Sequence, residues 1–103
     1  MTSLRNRWAL ITGSSRGIGQ QIALGLAQQH CNVILHARKV ENLTETLRLL
    51  EGTRVEIHTV AGDVGTKTGR LELLRELENG PGRVDILYNN AAIMSPWKEL
   101  WEL

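Results

Sequence analysis

A chain of 103 residues, with a formal net charge of +1 and one cysteine, is sized for at most one domain. The near-balanced charge gives no bulk electrostatic reason to bind nucleic acid or a membrane surface, and Cys31, standing alone, excludes an internal disulfide and fits a reducing cytoplasm. No apolar run approaches the ~20 residues that span a bilayer, and the N-terminus leads into a strand without a secretory apolar region and cleavage site.

Residues 7–12 read as a short buried strand that breaks into a glycine-rich turn. A helix is expected over 17–30, with Ile18, Ile22 and Leu26 at four-residue steps on its inner face. Residues 32–37 (NVILHA) form a second apolar strand. A second helix follows over 41–50, with a stripe of Leu43, Leu47 and Leu50 and a closing Gly52. The third strand is expected over 54–60, with Val55, Ile57 and Thr59 opposing Glu56, His58 and Val60. A third helix over 66–78 turns Leu71, Leu74 and Leu77 inward and stops at the run Asn79, Gly80, Pro81, Gly82. Residues 84–89 form a fourth strand, and Pro96 sits in the first turn of a fourth helix. Strands alternating with helices at this spacing predict the α/β class, with β-α-β units and a parallel sheet. Right-handed crossovers place the first two helices on one face.

The chemistry is concentrated in residues 8–20, WALITGSSRGIGQ, which run from strand through turn to helix. Such a junction presents bare backbone N–H groups and a helix N-terminus to an anion, a pyrophosphate above all. Gly13 allows a tight exit from the strand, Gly17 removes a side chain where backbone approaches phosphate, and Gly19 lets the helix pack closely. Thr12, Ser14 and Ser15 add hydroxyls, which also suit turn forming and helix capping. The spacing is G-x-x-x-G-x-G, not the commoner G-x-G-x-x-G.

Three segments in this order, TGSSRGIG at 12–19, AGDV at 61–64 and VDILYNNAA at 84–92, resemble the short-chain dehydrogenase/reductase family, in its N-terminal half. The resemblance implies a partial, doubly wound Rossmann-like domain over residues 1–103, strand order 3-2-1-4, and a third helix on the opposite face. It implies a switch point where the glycine turn meets residues 89–92, and an NADP cofactor there. Cofactor contacts are implied for Thr12, Gly13, Ser14, Ser15, Arg16, Gly17, Ile18 and Gly19 in the first segment. Farther on they are implied for Arg38, Asp63, Val64, Asn90, Ala91 and Ala92.

In members that prefer NAD an acid ends the second strand; here Ala37 stands there, followed by Arg38. A 2′-phosphate suits guanidinium donors, so electrostatics and resemblance agree on NADP. The plain alternative makes Arg38 and Lys39 ordinary solvated cations. Asp63 matches the residue that accepts from the adenine amino group, with Val64 beside the ring; its alternative is a turn or helix-cap role. The first asparagine, Asn89, is implied to tie neighbouring strands, and Asn90 onward to line the cleft. Ala92 replaces the usual last glycine of that motif, which strains the turn if that position needs positive φ.

His30, His36 and His58 lack metal-ligand spacing and read as a helix end and two sheet residues. Cys31 reads as a small buried hydrophobe. Complete members of the family carry a serine and a Tyr-x-x-x-Lys pair farther along and transfer hydride between NADPH and a carbonyl or alcohol carbon. Tyr88, the one tyrosine, is followed four residues later by Ala92, so no catalytic residue is assigned here. Three readings follow: the NADP-binding portion of such an oxidoreductase, inactive alone; a non-catalytic NADP-binding module or partner-completed chain; and a non-functional gene fragment. A small carbonyl or alcohol would be a partner only of a completed site, and an open fourth strand would favour self-association.

Overall fold

The computed structural model describes residues 3–90 of the chain. Among them, strands and helices alternate in the order β1 (Trp8–Ile11), α1 (Gly17–Gln28), β2 (Asn32–Ala37), α2 (Thr44–Leu49), β3 (Ile57–Ala61), α3 (Lys67–Asn79) and β4 (Ile86–Tyr88). A 3-10 turn over Val40–Leu43 leads into α2. The strands form a parallel sheet in the order β3-β2-β1-β4. This is the expected α/β architecture, a partial Rossmann-like fold. The residues expected to begin a fourth helix, with Pro96, Trp97, Leu100 and Trp101, lie outside the described residues, as do Ala91 and Ala92.

Every residue of β2 is buried, as a strand covered on both faces must be. The strand alternation divides the core in two. Ala9 and Ile11 with Val33 and Leu35 face a layer containing Ala23, Ala27, Leu43 and Leu50, so α1 and α2 share this side. Leu10, Ile34 and Val60 face Val64 and Leu73, so α3 covers the other side.

Two helix faces differ from the expected ones. In α1 the buried residues are Gly19, Gln20, Ala23 and Ala27, and Ile18 is 66% exposed. Small residues at four-residue steps bring the helix axis close to the sheet, leaving Ile22 and Leu26 to flank the seam. In α3 Leu73 is fully buried and Leu71 lies outward, with Leu74 and Leu77 at the margin of the core. The second helix is shorter than expected, and Leu47 is exposed while Thr46 takes an inner position. The third strand starts later because Arg54 adopts φ 62°, which breaks extended backbone.

The fourth strand is held by its entry. Asp85 N–H donates to the Trp8 carbonyl at 2.8 Å, and Trp8 N–H donates to Asp85 Oδ2 at 2.8 Å. Arg83 Nε and Nη2 reach the same oxygen at 3.1 and 3.0 Å. The Trp8 amide, then the Arg83 guanidinium, hold the Asp85 carboxyl below its ordinary pKa against its desolvation.

Among the described residues β4 pairs only with β1. Ile86 and Leu87 pack inward, but the outer N–H and C=O groups of the strand find no strand partner there, which templates pairing with another chain. The purified 103-residue chain is therefore expected to sediment as a dimer or larger species. A monomer with a cooperative melt would contradict this.

Among the described residues no helix is long and apolar enough to cross a membrane. Nor do three or more His, Cys, Asp or Glu side chains gather there to hold a metal ion.

Candidate functional site

Parallel pairing aligns the carboxyl ends of β1, β2 and β4, with Ile11 opposite Leu35 and Tyr88. At that edge the chain leaves β1 through Gly13, whose φ of 62° suits glycine, and enters α1 after Gly17 at φ 60°. Gly19 serves a different need. A Cβ there would strike the Gly13 carbonyl oxygen and come within 2.7 Å of Asn90 Nδ2. The first turn of α1 thus rests directly on the turn that precedes it.

The result is an open cleft of about 950 Å³, within the range of small-molecule sites. It is lined by Gly13, Ser15, Arg16, Gly17 and Ile18 from the turn and the start of α1, by His36, Ala37 and Arg38 from the end of β2, and by Asn42, Glu45 and Asn90. Arg16 is the N-cap residue of α1 and makes no side-chain capping bond. The helix therefore turns amides uncapped by any side chain, and the positive end of its dipole, toward the cleft. Arg16 and Arg38 are both exposed at its margin, and Ala37 brings no carboxylate to the end of β2.

Behind the cleft a buried polar frame holds the turn. Thr12 and Ser14 are fully buried. Ser14 N–H donates to the His36 carbonyl at 2.9 Å, and His36 N–H donates to Ser14 Oγ at 2.9 Å. Thr46 Oγ1 donates to the Ser14 carbonyl at 2.7 Å, while Gln20 Nε2 donates to the Ser15 carbonyl at 3.2 Å and to Thr46 Oγ1 at 3.1 Å. These hydroxyls orient the turn from within, and Ser15 is the hydroxyl residue on the cleft wall.

Asn90 closes the site from β4. Its N–H donates to Thr12 Oγ1 at 2.9 Å and its Nδ2 to the Gly13 carbonyl at 3.0 Å. The tie between strands expected of Asn89 is made by Asn90; Asn89 is exposed. Of the described candidates, Thr12, Ser14, Gly19, Asp63 and Val64 are not among the residues that line the cleft. Asp63 Oδ1 accepts from Gly65 N–H at 2.8 Å in an Asx turn, and Val64 is buried against the α3 side of the sheet. The cap of α3 is Thr66, whose Oγ1 accepts from Gly69 N–H at 3.0 Å.

His36, expected to be a plain sheet residue, lines the cleft and is almost fully buried. Gly13 N–H donates to its Nδ1 at 3.0 Å, and its Nε2 lies 2.8 Å from the Gly62 carbonyl. Burial pushes its pKa down, partly opposed by the Gly62 carbonyl and by the charges of Glu76 and Asp63. The available signal was a polar side chain at the end of an otherwise apolar strand facing a glycine turn. Asn42 and Glu45 were also missed, because helix periodicity does not tell which outward positions overhang a neighbouring cleft. Cys31 is buried as expected, and burial raises its thiol pKa.

An open parallel sheet with a glycine turn and an uncapped helix at its switch point defines a dinucleotide-binding α/β protein. The short chain dehydrogenase family model matches residues 7–102, and the chain belongs to the short-chain dehydrogenase/reductase family. It is 36% identical over 106 aligned residues to dehydrogenase/reductase SDR family member 4 of Sus scrofa, covering 96% of this chain and 38% of that protein. Among solved structures, L-sorbose reductase from Gluconobacter frateurii, complexed with NADPH and L-sorbose, superposes with a TM-score of 0.80 at 38% identity. That alignment covers 91% of this chain and 37% of the reductase. The Pseudomonas aeruginosa RhlG/NADP active-site complex superposes with a TM-score of 0.79 at 36% identity, covering 98% and 41%. The chain thus spans little more than a third of the length of these relatives.

Proposed function

We propose that this chain is the NADP(H)-binding portion of a short-chain dehydrogenase/reductase-type oxidoreductase. Its 103 residues make one partial dinucleotide-binding domain. One observation carries the reading: two guanidiniums, Arg16 and Arg38, line a cleft together with the N-terminus of α1, which its N-cap side chain leaves uncapped, and the β2 end of that cleft lacks a carboxylate. Backbone amides of the turn and Ser15 suit a pyrophosphate, and Arg38 with Arg16 suits a 2′-phosphate of about two negative charges. In this reading Asp63 and Val64, beyond β3, are the adenine-side contacts and Asn90 is a nicotinamide-side contact; Ala91 and Ala92, assigned with Asn90 by resemblance, lie outside the described residues. NADPH supplies the hydride when bound; these residues bind and orient it. The relatives complexed with NADPH and NADP support the choice of cofactor. A cytoplasmic setting accords with the lone reduced Cys31.

The test is a titration of the purified chain with NADPH and NADH. NADPH is expected to bind at least tenfold more tightly, because a hydrogen bond to a charged partner contributes about 1.5–3 kcal/mol. Arg38→Ala should weaken NADPH by roughly 10–100-fold and leave NADH nearly unchanged. Equal affinities that the substitution does not alter would refute the assignment.

A further inference from the structure

We propose that His36 is a positioning residue for the dinucleotide: its neutral imidazole, bridging the Gly13 amide and the Gly62 carbonyl, sets the glycine-rich turn for binding. This inference rests on the functional reading above. The two partners dictate the state of the ring. An amide N–H only donates, so Nδ1 must be bare; a carbonyl only accepts, so Nε2 must carry the proton. A second proton on Nδ1 would set two donors face to face across 3.0 Å. Either the ring or Gly13 must then move, and the ring is almost fully buried with its own backbone tied to Ser14 on both sides. The Gly13 amide belongs to the turn that faces the cleft, so either movement disturbs the binding turn. The other end of the ring holds Gly62, directly before Asp63, so one side chain spans the turn and the loop after β3.

The charged groups around the ring come from every neighbouring element. Arg16 precedes α1, Arg38 follows β2, and Glu45 reaches the same cleft from α2. Asp63 lies in the loop after β3, and Glu76 of α3 accepts from the Ala61 amide at 2.7 Å through Oε2. The sign follows from the required neutral state. With its folded pKa below the ordinary 6.5, the ring supports binding above that value and loses its role as pH falls beneath it.

The experiment measures NADPH affinity of the 103-residue chain and of His36→Asn between about pH 8 and pH 5. Asparagine can accept from the Gly13 amide through Oδ1 and does not titrate. The 2′-phosphate of the cofactor itself titrates near pH 6, about equally for both proteins, so the difference between their curves reports on the ring. Wild type should lose roughly tenfold more affinity than His36→Asn over this range, whatever offset separates the two curves at the alkaline end. Parallel curves would overturn the proposal while leaving the functional reading intact. Absence of NADPH binding at every pH would overturn the functional reading. In that case, or if His36→Asn fails to fold, a nuclear magnetic resonance titration of the free wild-type chain decides. A Gly13 amide resonance that follows the His36 ring titration supports the coupling, and one indifferent to it refutes the proposal.

Discussion

The 103-residue chain is expected to bind NADPH and yet to consume none when offered a panel of carbonyl compounds. Reduction of a carbonyl requires a proton donor beside the hydride acceptor, and a positioned general acid contributes about 10²–10⁴-fold. The chain offers one phenol, Tyr88, and the fold places it poorly. Its carbonyl accepts from the Thr12 amide at 3.2 Å, and the residue is locked opposite Ile11 in the sheet. Four residues on stands Ala92, not a lysine that would lower the pKa of the phenol. NADPH absorbance followed over time, with protein varied, checks the expectation. Consumption that scales with protein, survives repurification and disappears in Tyr88→Phe would show that this phenol supplies the proton after all.

Gly19→Ala is expected to destabilise the chain and abolish NADPH binding, and Gly25→Ala, on the same helix, to be mildly stabilising. At Gly19 the added Cβ meets the Gly13 carbonyl, a backbone atom that cannot swing aside, as well as the Asn90 amide. Relief requires either that α1 back away from the turn or that the Asn90–Gly13 bond part to admit the methyl, and either change alters the cleft wall. Overpacking of a tight site costs about 1–3 kcal/mol, and the rigidity of both partners here puts the cost at the upper end, about 3 kcal/mol. At Gly25 nothing stands within 4 Å of the added carbon, so the helix gains about 0.5–1 kcal/mol of propensity. Urea melts of both variants give the two signs, and NADPH titration should show binding lost in the first and kept in the second. A Gly19→Ala chain as stable as wild type would mean that the turn and helix are not in the tight contact described.

The alternation of strands and helices, the shared face of α1 and α2 and the glycine turn were legible from local pattern and handedness, whereas the strand order and the opposite face of α3 came from the family resemblance. The inner face of α1 was not legible. Counting large apolar residues favours Ile18, Ile22 and Leu26, whereas the helix packs through Gly19, Ala23 and Ala27, since close approach to a sheet selects small side chains. Leu43 and Leu50 are buried as expected, but Thr46 takes the inner place between them because its hydroxyl answers the Ser14 carbonyl. The roles of His36 and Asn90 depend on partners at sequence separations of 23 and 77 residues, beyond any local periodicity. Family motifs marked Asn90 without saying which atoms it joins.

The bond from Asn90 to Gly13 has a consequence for the order in which the molecule matures. It joins residues 77 positions apart, so the first loop to be made is the last to be closed. At a synthesis rate of about 5–20 residues per second, the nascent chain carries an unfinished glycine turn for roughly 4–15 s. Once β2 has been made, β1, α1 and β2 can share the hydrophobic layer they form in the folded chain, while the phosphate-facing turn still lacks its final strut. Ligand capture must then trail hydrophobic collapse. A ribosome-bound chain halted before residue 90 should protect its α1–β2 layer from protease yet leave Gly13 open to exchange.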